Sequence, residues 1–196
     1  MSELIKIFKD FISRDIIYIF GGSSVIISFM YYYNQLNISN LSTFEYVFLC
    51  AFGYVIGFII QETLSMVGII TTAHFKPGKI VKYFYRLFTK SEWEDIIGLD
   101  QVEKQLAFYE KAPERIITQI ERIITLKHIG TTIGSSFLVS SVILLFKFIE
   151  TKSNYDLTIF ISVLTFSILL IIQSWIKGAQ QIKYMSEVVD RINKNT

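Results

Sequence analysis

Proline, cysteine, histidine and charge are all scarce in this chain of 196 residues. The two prolines, Pro77 and Pro113, leave long stretches in which nothing forbids a continuous helix. A single cysteine, Cys50, excludes a disulfide framework and a thiolate metal site, and its apolar surroundings make it a packing residue. His74 and His128 have no third ligand beside them, so no metal is expected. No nucleophile elbow, HExxH helix, phosphate-binding glycine loop or facing pair of acids is present, so neither catalysis nor a cofactor is expected. Charged residues make up 18%, against about a quarter in soluble domains.

Apolar residues take that place. The chain is 52% hydrophobic, with a mean hydropathy of +0.45, and reads as an all-α integral membrane protein. Four apolar runs reach spanning length: Ile16 to Tyr33, Tyr46 to about Ala73, about Ile129 to Ile149, and Leu157 to Ile176. The first ends in three tyrosines rather than a small-residue cleavage site, so it is expected to stay as a span. Lys6, Lys9 and Arg14 among Ile5, Phe8, Phe11 and Ile12 predict a short helix on the membrane surface before it.

The stretch from Pro113 to Ile149 organises the rest. As one helix it would be about 55 Å long, well beyond a hydrocarbon core of roughly 30 Å, so half of it must stand in water. In that wet half Ile116, Ile117, Ile120, Ile123 and Ile124 form one stripe, opposite Glu114, Arg115, Glu121 and Arg122. Such a stripe needs a partner. The tail supplies one candidate in Ile182, Met185, Val189 and Ile192, and a soluble cytoplasmic protein docking on Ile116, Ile117, Ile120 and Ile124 is another.

Between the second and third runs, Pro77 and Gly78 break the chain, and Lys79, Lys82, Arg86 and Lys90 then recur at helical steps beside aromatic residues. With no acid in the segment, this is the pattern of a helix in contact with lipid headgroups, and nucleic acid is not the expected partner. Ser91 with Glu94, and Asp100 with Glu103, have capping-box spacing and predict helices near 92–97 and 101–111.

Of the 19 Lys and Arg, only Lys147 and Lys152 fall in or beside the two short turns between runs. The positive-inside rule then gives two hairpins with both termini in the cytoplasm of a plasma or inner membrane. The divisions are an N-terminal hairpin (1–75), cytoplasmic amphipathic helices (76–128), a second hairpin (129–177) and a cytoplasmic C-terminal helix (178–196).

Gly53 with Gly57, and Gly130 with Gly134, have the spacing that lets helix backbones approach in a membrane, within the chain or between copies. Glu62 is an acid inside a run, either a proton or cation site or paired near the cytoplasmic edge. Ser136, Ser140 and Lys147 share one helix stripe, able to line a water-filled path or to bond to backbone and snorkel. The expectation is a non-enzymatic homo-oligomer, such as a tetramer, acting as a membrane sensor or scaffold for a soluble partner. Its isoleucine, lysine and asparagine bias associates it with AT-rich microbial stress or anti-phage defence loci. The alternative is an oligomeric channel or membrane-permeabilising effector.

Overall fold

The computed structural model describes residues 2–35, 42–70, 79, 82, 83, 86 and 106–194, with side chains from residue 15 onward except Asn193. The side chains of Lys6, Lys9 and Arg14, read as surface cations, are not among those described, and the readings of His74, of the Pro77–Gly78 break, of Lys90, and of the capped helix starts at Ser91 and Asp100 lie outside these residues. Every regular element among the described residues is helical. Four long helices follow in order: α1 (Ser2–Tyr32), α2 (Thr43–Met66), α3 (Glu114–Thr151) and α4 (Asn154–Lys194). All four are long and apolar enough to cross a membrane, which makes this a multi-pass membrane protein.

The helix ends follow local chemistry. Ser42 caps α2: its hydroxyl accepts from the Glu45 amide at 3.3 Å while the Glu45 carboxylate accepts from the Ser42 amide at 2.7 Å. α1 and α2 both end in Schellman turns. In α1 the left-handed residue is Asn34, with Gln35 N–H donating to Met30 C=O at 2.8 Å. In α2 it is Gly68, with Ile69 N–H donating to Leu64 C=O at 3.0 Å. α3 begins directly after Pro113, as the sequence implies, and turns into α4 through the left-handed Lys152.

Three boundaries differ from the sequence reading. The separate surface helix over 1–15 is absent as a unit, because α1 runs unbroken from Ser2 with neither proline nor glycine before Gly21. The second helix stops at Met66, well short of Ala73, because Gly68 closes it. The fourth run and the tail form a single helix of 41 residues, since Gly178 alone does not break it.

Two pairs are built on backbone contact. α1 and α2 pack antiparallel so closely that a Cβ placed on Gly22 would fall 1.8 Å from the Gly53 carbonyl oxygen. α3 and α4 do the same at Gly130, where a Cβ would fall 2.4 Å from the Leu170 oxygen, and Ser167 donates to the Gly134 carbonyl at 2.8 Å. Lipid tails are as apolar as leucine, so close packing and interhelical hydrogen bonds hold this part.

Beyond the apolar segment α3 and α4 continue side by side as a stalk. Here Ile120 meets Met185, Val189 and Phe108 in a fully buried cluster, with Ile116, Ile117, Ile123 and Ile124 packed around it. Burying each such side chain from water contributes about 1.5–3 kcal/mol. The isoleucine stripe packs within the chain against the tail and the short helical stretch 106–111, which buries Ile120 and leaves Ile116, Ile117, Ile123 and Ile124 half-buried.

Candidate functional site

The two pairs meet along the contact of α1 with α3, where α3 is the central helix of the fold. Sequence periodicity explains the composition of this seam. Thr132, Ser136 and Ser140 recur every four residues and therefore lie on one line of α3, which extends toward Lys147. The facing line of α1 carries Gly21, Ser24, Ser28 and Tyr31. Polar, small residues thus face one another inside a segment of spanning length.

At the turn end the seam closes on charge. Lys147 is buried, and its ammonium donates to the Tyr32 carbonyl at 2.9 Å and to Asn34 Oδ1 at 2.8 Å. It stands 5.9 Å from the centroids of both the Tyr31 and Tyr32 rings, within cation–π range. Tyr31 donates its phenol to Asp156 Oδ1 at 2.6 Å, Thr151 donates to the other carboxylate oxygen, and Tyr32 donates to Glu150. These ties bind the last turn of α1 to both ends of the α3–α4 turn. Asp156 lies in the polar turn ahead of the apolar part of α4, and the hydrogen bonds from Thr151 and Tyr31 hold its carboxyl below the usual carboxylate range.

Midway, the Ser24 and Ser140 hydroxyls lie 3.4 Å apart. One turn further, Ser136 is fully buried against Gly21, and among the described residues its hydroxyl has no hydrogen-bond partner. A buried polar group left unsatisfied costs about 1–3 kcal/mol. Beyond it Thr132 donates to Gln61 of α2, and Trp175 of α4 donates its indole N–H to the Ile69 carbonyl at 3.0 Å. Beside the turn-end half of the seam lies an open cavity of about 370 Å³ between α1, α3 and α4, bounded by Ser24, Ser28, Tyr31, Ser140, Phe137 and Val163 among others.

The predicted residues sort as follows. Gly53 and Gly57 pack on α1, and Gly130 and Gly134 on α4, all within one chain. Ser136, Ser140 and Lys147 turn toward α1 rather than toward an outer face. Glu62 is half-buried and stands one position off the line Gly53, Gly57, Gln61, Ser65, all four of which are buried. The interior polar residues of α2 are therefore Gln61 and Ser65, and the four-residue step from Gly57 was the signal that could have identified them. Ile120 is fully buried; Ile116, Ile117 and Ile124 are half-buried beside it. Lys79 and Arg86 are exposed helical positions and Lys82 is half-buried. The partnership of Tyr31 with Asp156 had no local signal, because 125 residues separate them. Among the described residues no three His, Cys, Asp or Glu side chains converge on a point where a metal could sit. No protein-family model, curated protein or solved structure matches the chain.

Proposed function

We propose that this chain is a non-enzymatic membrane sensor or scaffold, inserted as two hairpins with both termini in the cytoplasm, that couples the arrangement of its spans to a soluble protein partner. One observation carries the reading. α3 and α4 run unbroken from the Lys147–Asp156 end to the stalk tip, about 57 Å in the case of α3, so a displacement at the seam is delivered to the stalk by two rigid rods. The sorting of Lys and Arg away from the short turns supports the orientation.

The packing of the isoleucine stripe within the chain moves the docking surface. A cleft of about 240 Å³ remains at the stalk tip, lined by Ile116, Tyr184, Val188 and Ile192 with Glu187 and Arg191 at its edge. This mixture of apolar floor and charged rim suits a protein surface. With the glycines used inside the chain, the outward face of α2, which carries the stacked rings of Phe48 and Phe52, is one exposed apolar surface open to a homo-oligomer.

A photo-crosslinking residue at Arg191, in native membranes, tests the reading. It should capture one soluble protein, and Val188→Asp should abolish that capture while leaving the chain in the membrane. Capture that is indifferent to Val188→Asp, or no capture at all, rules the docking surface out. A conducting oligomer lined by Ser136, Ser140 and Lys147 has against it that all three face α1 of their own chain.

A further inference from the structure

Two kinds of contact hold the spans together, and they differ in how easily they part. Within each pair, glycines bring backbone against backbone, and neither helix can slide without a collision. Across the seam Gly21 instead meets a side chain first, Ser136, with the Thr132 carbonyl oxygen no nearer than 3.3 Å to an added Cβ, and the remaining contact is made by small hydroxyls and by polar ties at its two ends. The Ser24–Ser140 approach is long at 3.4 Å, Ser28 donates to its own helix at the Ser24 carbonyl rather than across, and the Ser136 hydroxyl is buried with no partner among the described residues. In its middle the closed seam thus offers the Ser136 hydroxyl no partner from the described residues. Beside the seam lies the cavity of about 370 Å³, bounded by α1 on one side and α4 on the other, which gives the turn-end half of α1 room to shift.

We propose that this seam is the movable joint of the protein, latched by Lys147. With Lys147 on the Tyr32 carbonyl and Asn34, the α1–α2 pair is seated on α3. When that ammonium is released, the α1–α2 pair moves into the cavity as a rigid body and water enters along the hydroxyl line to reach Ser136. Hydration satisfies Ser136 in the open form, which is why the open form is accessible at all. The inference rests on the packing alone and does not require the stalk to dock a partner.

The experiment uses the full chain carrying Cys50→Ser, reconstituted in liposomes, with Ser136→Cys as a reporter for a water-soluble, membrane-impermeant methanethiosulfonate reagent. Labelling of Ser136→Cys should be slow, and at least tenfold faster when Lys147→Met is added. Ser167→Cys, buried between α3 and α4, serves as the internal reference and should stay unlabelled in both backgrounds. Joining the seam by Ser24→Cys with Ser140→Cys as a disulfide should return the Lys147→Met rate to that of the latched chain. If Lys147→Met does not reconstitute, Tyr31→Phe with Tyr32→Phe, which loosens the same end, should still raise the rate about threefold. The proposal falls if Ser136→Cys is labelled equally with and without the latch, if Ser167→Cys becomes reactive in step with it, or if the disulfide fails to slow the reaction.

Discussion

Lys147 of α3 donates to the main-chain carbonyl of Tyr32, the last residue of α1, across a sequence separation of 115 residues. The last carbonyls of a helix have no partner within the helix and carry the negative end of its dipole, so an ammonium is the matching group. A buried ammonium is itself costly unless it finds such acceptors, and here it has two.

Replacing Lys147 by Met keeps the side-chain volume and strands the Tyr32 carbonyl and Asn34. The expected loss is about 1–3 kcal/mol of folding stability, with a larger loss for Lys147→Glu, which sets a third acid beside Glu150 and Asp156. Unfolding in mixed detergent micelles, followed by helix signal, measures both. Equal stability of Lys147→Met and wild type would remove the lysine from the account of the fold.

Gly22→Ala and Gly134→Ala should differ sharply. At Gly22 the added methyl meets backbone at 1.8 Å and the α1–α2 pair has to separate. At Gly134 it meets the Ile171 side chain at 3.0 Å, Leu170 Cβ at 3.1 Å and the Ile171 nitrogen at 3.2 Å, contacts that a shift of a few tenths of an ångström relieves. Overpacking of the first kind costs about 1–3 kcal/mol or more, the second a fraction of it. A thermal series on the two variants decides, and the reverse order would contradict the packing described.

Ile120→Ala should loosen the stalk without disturbing the spans. Removing a fully buried isoleucine costs about 2–5 kcal/mol where the surroundings cannot collapse. Hydrogen exchange should accelerate in the stalk half of α4, around Met185 and Val189, and remain slow around Ser167 and Leu170. Uniform acceleration over both regions would show that the two parts unfold together.

Acid should act through Asp156. Its folded-state pKa is lowered by Thr151 and Tyr31, so the stabilisation is fully present above the ordinary carboxylate pKa and is lost as the pH falls through the lowered value. Wild type is expected to lose stability over that window, while Asp156→Asn, already without the charge, is flatter there. Parallel curves for the two would assign the acid response to other carboxylates.

How much of this could be read beforehand depends on where a residue sits. The four long helices were legible because apolar length is a statement about depth in a bilayer, and the stripe at Ile116 to Ile124 was legible because water lies on its other side. Inside the spans that logic lapses. Lipid and protein interior are equally apolar, so hydrophobic periodicity does not say which face turns inward, and Glu62 drew the attention that Gln61 merited. The end of α2 was missed for a different reason. Gly68 stops the helix by backbone conformation, while the apolar run around it continues without a visible change in composition. The turn-end network joins residues more than 100 positions apart, and pairings at that distance leave no trace in a single sequence.

The same two helices, α3 and α4, are held by one force in the stalk and by another in the spans, and this gives them a divided response to temperature. Burial of Ile120, Phe108, Met185 and Val189 from water weakens on cooling. Glycine-mediated contact and hydrogen bonds such as Ser167 to Gly134 do not depend on water in that way. Cooling therefore weakens the stalk more than its roots, so one continuous pair of rods carries a cold-sensitive end and a cold-insensitive one.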